Sequence, residues 1–255
     1  MRFAALTDLG LVRKNNEDAV FARNSAVGPL DNLFIVADGM GGHQGGEYAS
    51  SFVVSQMPEL LTHTRSQRKI AAALGLATDR CNRALYQLSQ ERQDLRGMGS
   101  TMVLATLKRG VLHVVNVGDS RLYHMHRGRL LPVTRDHSMV EEMVEQGRLT
   151  RDDPFYDANK NVITRAMGIA PYVDADYFSL EPEAGDRILL CSDGLSGMVP
   201  DRLMEELLRE EKNTEMAVQR LMYLSKAAGG RDNISVILVD VEAADAAAND
   251  REDAE

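Results

Sequence analysis

The chain has 255 residues, of which 44% are hydrophobic and 26% charged, a composition that predicts one large globular domain. No apolar stretch approaches the roughly 18 residues that a membrane span needs, and we read no signal peptide at the N-terminus. The net charge is −9, but residues 240–255 contribute −6, so the rest of the chain is near neutral. The near-neutral body argues against a basic nucleic-acid surface.

The predicted strands, in chain order, begin with a short apolar run at 32–37 that ends in Asp-Gly. Four more runs follow between residues 100 and 133, separated by tight glycine-containing turns, and this spacing predicts one antiparallel meander. The last two predicted strands cover 187–191 and 234–239. The runs of the meander are 100–107, 111–117, 121–125 and 129–133.

The predicted helices come in pairs between these blocks of strands. The longest covers about 66–90, where apolar residues recur at i, i+3, i+4 and i+7. Pairs of helices between antiparallel blocks favour an α+β layered fold over a doubly wound parallel sheet. The other helices are predicted at 46–56, ending near Pro58, and at 139–146, 203–208 and 217–227.

Two segments read as irregular. Residues 148–161 are polar and predict a surface loop, of the kind that often forms a lid beside a site. From residue 241 the chain is rich in alanine and acids, which predicts a disordered acidic tail after a single domain at 1–240.

The two cysteines, Cys81 and Cys191, favour a reducing, cytoplasmic location without a disulfide. Cys191 lies in an apolar run, which is typical of a buried small side chain rather than of a nucleophile.

Acidic residues recur at the ends of the predicted strands. Carboxylates at the mouth of a buried sheet are costly unless something neutralises them, and hard divalent cations neutralise clustered carboxylates well. The sequence therefore predicts a metal-dependent enzyme. The acids concerned are Asp38, Asp119, Asp193, Asp232 and the pair Glu17-Asp18.

Each of these acids alone also has an ordinary explanation. Asp38-Gly39 and Asp193-Gly194 match Asp-Gly turns after strands, and only their joint occurrence with the other acids favours a metal centre. Two neighbouring cations lower the pKa of a shared water and assist displacement at phosphorus, so no side-chain nucleophile is needed. Gly39 would add a main-chain carbonyl ligand.

Other candidates carry weaker signals. The glycines from Gly39 to Gly46 match neither a P-loop nor a dinucleotide fingerprint. Arg13 fits either a bidentate phosphate clamp or a solvated surface arginine, and His43 either a proton shuttle or a structural residue. His124 and His126 alternate along a strand without zinc spacing to any cysteine.

Taken in order, the motifs resemble those of the metal-dependent Ser/Thr protein phosphatases of the 2C type in their compact bacterial form. The resemblance covers about residues 1–240. The motifs are Arg13-x-x-Asn16-Glu17-Asp18, Asp38-Gly39-Met40-Gly41-Gly42-His43, Gly99-Ser100-Thr101, Val117-Gly118-Asp119-Ser120-Arg121, Asp136-His137-Ser138, Ile163 to Gly168, Ser192-Asp193-Gly194 and Asp232-Asn233.

The resemblance implies a four-layer αββα sandwich of two antiparallel sheets flanked by helix pairs, with Mn²⁺ or Mg²⁺ in a cleft. It implies that Asp38 bridges two core ions with Gly39, and that Asp193 and Asp232 hold the first. Glu17 and Asp18 hold the second ion directly or through water, Asp119 belongs to a third site, Arg13 binds phosphate and 139–161 forms the flap.

The implied reaction is hydrolysis of phosphoserine and phosphothreonine by a metal-bound hydroxide, in a monomer that opposes a bacterial Ser/Thr kinase in signal transduction. Animal members carry a proposed general-acid histidine where this chain has Met40. A non-catalytic phosphoprotein-binding module on the same fold is the alternative. A metal-dependent nuclease is a third possibility, which the lack of a basic groove disfavours.

Overall fold

The computed structural model describes residues 1–42, 44–64 and 69–246 and places two antiparallel sheets face to face. With strands numbered in chain order, the first sheet has the order β1 (Arg2–Asp8), β11 (Ile234–Asp240), β10 (Arg187–Cys191), β7 (Arg121–His126) and β8 (Arg129–Pro132). The second has the order β2 (Asp18–Arg23), β3 (Leu33–Met40), β5 (Met102–Lys108), β6 (Val111–Val117) and β9 (Asp176–Leu180), and β4 (Gly99–Ser100) pairs with β3.

Helices cover the outer face of each sheet. The second sheet packs against α1 (Gly45–Thr62) and α2 (Ile70–Glu91), and the first against α6 (Asp201–Glu210) and α7 (Thr214–Ala227). The remaining helices are short. They are α3 (Met139–Glu145), α4 (Pro154–Asn159), α5 (Asp193–Ser196), α8 (Ala243–Ala246) and a 3-10 turn at Gln93–Leu95.

Strand alternation produces three apolar layers, because successive side chains point to opposite faces of a sheet. On β3, Ile35 packs towards α1 and α2, whereas Phe34 and Val36 pack between the two sheets. On β11, Leu238 packs towards α6 and α7, and Ile237 lies between the sheets. The predicted four-layer αββα sandwich is confirmed.

The predicted single meander is wrong, because β6 and β7 lie in different sheets. The chain crosses at Gly118, whose φ of +102° suits glycine, and a Cβ there would lie 2.6 Å from the Thr101 Cγ2. Periodicity within each strand does not record which sheet the strand joins. The crossing places Asp119 at the end of both sheets.

The prediction that the first helix ends near Pro58 is also wrong. The helix α1 continues to Thr62, with Pro58 inside it. Met57 and Leu61 are fully buried in the core, so tertiary packing outweighs the main-chain hydrogen bond that a proline removes. The Thr62 hydroxyl donates to the Pro58 carbonyl at 2.8 Å.

Other boundaries differ from the sequence predictions. The predicted loop 148–161 contains α4, which Asp153 caps by accepting from the Phe155 amide at 2.8 Å. The strands β1, β2 and β9 were not predicted. Helix α2 begins at Ile70, four residues after the predicted start, and residues 66–68 lie outside the described residues.

The start of the predicted tail packs on the domain. Val241 is buried between the sheets, and the Met1 amine pairs with Asp245 at 3.0 Å and with Glu242. Residues 247–255, where disorder was predicted, lie outside the described residues. No helix within the described ranges is long and apolar enough to cross a membrane.

Candidate metal centre

The acids singled out in the sequence come together at one end of the two sheets. There, a cleft of about 290 Å³ opens to solvent. Asp18 lies beside it, opposite Asp38 in the register of β2 and β3. The cleft is lined by Arg13, Glu17, Asp38, Gly39, Met40, Gly41, Thr101, Asp119, Asn161, Ile163, Asp193, Asp232 and Asn233.

Both sheets deliver acids to the cleft. Asp18 opens β2 and Asp38 lies near the end of β3, in the second sheet. Asp193 begins α5 two residues after β10, and Asp232 lies two residues before β11, in the first sheet. Acids of the two sheets that lie 155 to 214 residues apart in sequence thus meet because antiparallel strands bring alternate ends to one edge.

Burial and mutual repulsion disfavour the charged forms of these carboxyl groups. Burial, together with the charges of Asp193 and Asp232, raises the pKa of Asp18 to about 7 against the lowering effect of hydrogen bonds from Ser192 and Ser235. The same causes act on the others. Burial, then neighbouring carboxylates, raises the pKa of Asp38 well above its usual range, that of Asp119 to about 8, and that of Asp193.

One oxygen of this cluster lacks a partner. Asp193 Oδ1 is buried and receives no hydrogen bond from the described residues. A buried carboxylate oxygen without a donor is costly, whereas a cation ligand would satisfy it. Together with the pKa shifts, which a bound dication would reverse, the unpaired oxygen fits the hard cation that these carboxylates would hold.

Gly39 is required by close packing rather than by its φ angle. A Cβ at this position would lie 1.9 Å from the Gly46 carbonyl oxygen and 2.7 Å from the Glu17 carbonyl oxygen. The Gly39 amide donates to the Glu17 carbonyl at 3.0 Å, which ties β3 to the segment before β2. Any side chain here would push apart the walls of the cleft.

Arg13 lies at the rim of the cleft. One of its amino groups donates to Asp232 Oδ2 at 2.7 Å, and the other lies 3.9 Å from Glu17 Oε2. The hydrogen bond to Asp232 raises the pKa of Arg13 further. The side chain is 47% exposed, so donors of its planar fork remain open to a ligand in the cleft.

Asn233 joins the two sides of the cleft, a role that sequence reasoning missed. Its amide nitrogen donates to the carbonyls of Leu9 and Asn15, both at 3.0 Å. Its oxygen accepts from the Glu17 amide at 2.8 Å. Adjacency to Asp232 was the available signal, but the three partners lie more than 200 residues away in sequence and become visible only in the fold.

Two hydroxyl residues fix the acids in place and were also missed. Thr101 Oγ1 accepts from the Asp38 amide at 2.9 Å. Ser192 Oγ donates to Asp18 Oδ2 at 2.7 Å and accepts from the Ser235 amide at 3.0 Å. Both lie in quoted motifs, yet a hydroxyl in a motif does not reveal which acid it orients.

The structure places the remaining candidates as follows. Glu17 lies at the cleft, and burial raises the pKa of its carboxyl group against the lowering effect of Arg13. Met40 lines the cleft with a side chain that carries no ionisable proton. His43 lies outside the described residues.

A six-acid cluster with one arginine at its rim defines a class of site, one that can hold divalent cations and receive a small anion. Carboxylate and carbonyl oxygens are the ligands that Mg²⁺ and Mn²⁺ prefer. The arginine fork suits a phosphate group. The acids are Glu17, Asp18, Asp38, Asp119, Asp193 and Asp232.

Comparison with known proteins gives a consistent result. The model of the family "Protein phosphatase 2C" matches residues 12–238. The serine/threonine phosphatase Stp of Listeria monocytogenes is 35% identical over 241 residues, covering 92% of this chain and 93% of that protein. The chain therefore belongs to the protein phosphatase 2C family, as the motifs predicted.

Solved structures agree with this assignment. The serine/threonine phosphatase PstP of Mycobacterium tuberculosis is 36% identical, with a TM-score of 0.83 over 94% of this chain and 98% of that chain. A structure of the PstP catalytic domain, in complex with two manganese ions, superposes with a TM-score of 0.81 over the same shares at 36% identity.

Proposed function

We propose that this chain is a metal-dependent protein phosphatase that hydrolyses phosphoserine and phosphothreonine, using two core Mn²⁺ or Mg²⁺ ions and a weaker third. The convergence of six acids around an unpaired Asp193 oxygen carries the proposal. Membership of the family and the PstP complex with two manganese ions support it.

The roles of the acids follow from the chemistry of the cleft and the family resemblance. Asp38, with the Gly39 carbonyl beside it, would hold both core ions, and Asp193 and Asp232 would complete the first. Glu17 and Asp18 would hold the second directly or through water, and Asp119 would share a third with Asp193. When bound, two such ions activate a water and stabilise charge at phosphorus.

Arg13 would orient the substrate phosphate. Its contacts with Asp232 and Glu17 hold the guanidinium at the rim, and its remaining N–H groups would bind two phosphate oxygens in a bidentate manner. The fixed orientation lowers the entropic cost of placing phosphorus in line with the attacking water.

Protonation of the leaving alkoxide would fall to water in the cleft. Met40 occupies the position of the histidine of animal members and cannot donate a proton. Asn161 and Ile163 lie on the cleft wall at the end of the proposed flap, 139–161, so they would contact the segment that carries the phosphate.

The catalytic function is favoured over a non-catalytic binding module, since every acid expected of an active member is present and lies at the cleft. An acidic cleft with one rim arginine suits a single phosphate ester better than a polyanionic nucleic acid.

Four broader features belong to the proposal. The phosphoproteins would be substrates of a partner Ser/Thr kinase, and the enzyme would act as a monomer in the cytoplasm. The free, buried thiols of Cys81 and Cys191 support a reducing compartment. Residues 1–240 would form one catalytic domain.

Phosphate release from a phosphothreonine peptide tests the proposal, measured with Mn²⁺ and with a chelator. Activity should require Mn²⁺ and should be lost in Asp38→Asn. Asp31→Asn, an exposed acid before β3, serves as the control and should keep wild-type activity. Peptide binding without turnover in Mn²⁺ would instead support the binding module.

A further inference from the structure

A second cluster of ligating side chains lies at the other end of β10. His124 and His126 alternate along β7, so their rings share one face of the sheet. Asp186 directly precedes β10, beside His126, because Arg187 pairs with Met125 in the register of the two strands. One donor atom from each of the three residues lies within 4.8 Å of the other two.

Hydrogen bonds hold the Asp186 carboxylate between the rings. His124 Nε2 lies 2.7 Å from Asp186 Oδ2, and His126 Nδ1 lies 3.0 Å from both carboxylate oxygens. The Glu183 amide donates to Asp186 Oδ2 at 2.8 Å, and the Asp186 amide donates to the Glu183 carbonyl at 3.1 Å. The carboxylate therefore has a fixed orientation.

Burial separates the Asp186 carboxylate from solvent. The Asp186 side chain is only 6% exposed, and its ion-pair partners in the described part of the chain are the two histidines. The buried carboxylate therefore depends on these two rings and the Glu183 amide for its polar contacts. His126 is 28% exposed, so the cluster opens to solvent on one side.

We propose that His124, His126 and Asp186 form a separate site for Zn²⁺ or a similar transition-metal dication. Two imidazole nitrogens and one carboxylate favour Zn²⁺, Cu²⁺, Ni²⁺ or Co²⁺ over Mg²⁺, which prefers oxygen ligands. Water would occupy the remaining positions on the open side.

The donor atoms already lie near the spacing that an ion needs. Bonds of about 2.0–2.2 Å in a tetrahedral zinc site place donor atoms roughly 3.3 Å apart. The histidine–carboxylate separations of 2.7 and 3.0 Å need an expansion of a few tenths of an ångström, and the two ring nitrogens, which lie within 4.8 Å of each other, would adjust around the ion. A ring nitrogen binds an ion through its lone pair, which a protonated imidazole does not offer, so binding would weaken in acid.

The site is independent of the proposed phosphatase centre. Asp186 and Asp193 lie at opposite ends of β10, roughly 20 Å apart at about 3.3 Å per residue. The site would link β7 to the turn before β10, and an ion there would stabilise this edge of the first sheet.

Zinc titration in an Asp193→Asn background tests the proposal, because that substitution weakens the carboxylate cleft. Isothermal titration calorimetry in excess Mg²⁺ should detect one Zn²⁺ site. Adding Asp186→Asn or His126→Gln should weaken its binding at least tenfold. His113→Gln, a half-buried histidine on the other sheet, is the matched control and should leave the affinity unchanged.

Spectroscopy and stability separate the remaining outcomes. Cu²⁺ bound to the same background should show hyperfine couplings to two imidazole nitrogens in electron paramagnetic resonance, and His126→Gln should remove one of them. His126→Gln keeps a side-chain amide donor beside Asp186, so it should fold without zinc and still test the site if Asp186→Asn fails to fold. Equal zinc affinity in all variants, or no nitrogen coupling, would overturn the proposal.

Discussion

The buried carboxylates at the two ends of β10 have different surroundings. At Asp193, acids from both sheets face one another, repel and leave one oxygen unpaired. At Asp186, one acid of a single sheet receives hydrogen bonds from two imidazoles and a main-chain amide. The first cluster therefore needs cations to be fully ionised, whereas the second is already satisfied by hydrogen bonds and would gain from an ion.

Replacing the acid at either end of β10 by asparagine tests this difference directly. Asp193→Asn should lower Mn²⁺-dependent turnover by roughly 10³-fold, because it removes a proposed ligand of a centre on which charge stabilisation depends. Asp186→Asn, the equivalent change at the other end of β10, should leave turnover within about twofold. Steady-state kinetics on one phosphopeptide measures both, and equal losses would mean that the two ends are not separate sites.

The second prediction concerns pH and the metal-free protein. Asp18 and Asp119 have folded pKa values of about 7 and about 8, above the usual value near 4. The folded state therefore binds these protons more tightly, so their stabilising contribution is full below pH ~4 and is lost as the pH rises through 7 to 8. With chelator, the free energy of unfolding should fall by a few kcal/mol between pH 5 and 8.

Urea unfolding at the two pH values measures this slope. Asp18→Asn should flatten it, because an amide does not titrate. Saturating Mn²⁺ should oppose the slope, because the ion binds the deprotonated acids. A slope that is unaffected by both changes would place its origin outside the cleft.

The third prediction tests how the acidic end is held together. Asn233→Ala removes three hydrogen bonds that link β11 to Leu9, Asn15 and Glu17. Turnover should fall about 10- to 100-fold, the usual effect of losing a group that orients metal ligands. Asn24→Ala, which removes an exposed bond to the Met1 carbonyl, is the control. Wild-type turnover in Asn233→Ala would show that the linkage does not position the cleft.

The fourth prediction concerns Arg13 at the rim of the cleft. Arg13→Lys keeps the positive charge but loses the planar fork, so we expect KM for the phosphopeptide to rise by about tenfold with a smaller change in kcat. Arg13 lies at the cleft and not at the histidine cluster, so the zinc affinity of that cluster should not change. A fall in kcat with unchanged KM would assign Arg13 to the transition state rather than to substrate binding.

Much of this architecture was visible in the sequence because it depends on local patterns. The paired helices and antiparallel strand blocks predicted an α+β layered fold, and the resemblance to the 2C-type phosphatases implied its four layers. Acids beside glycine or asparagine predicted the members of the cleft. The switch of sheets at Gly118, the continuation of α1 through Pro58 and the links made by Asn233 were not visible. Each depends on partners distant in sequence. Asp186 likewise lies 62 and 60 residues from His124 and His126, so its contacts with them were not visible.

The pairing of β1 with β11 has a consequence for the order of synthesis. Arg2 to Asp8 pair with Ile234 to Asp240, so β1 gains this partner only after β11 has been synthesised. On a ribosome, the first sheet lacks β11, which lies between β1 and β10, until residue 240 has emerged, and contacts of such long sequence separation form slowly. Arg13 and Asp232 meet in the same step, so a partly translated chain would lack phosphatase activity.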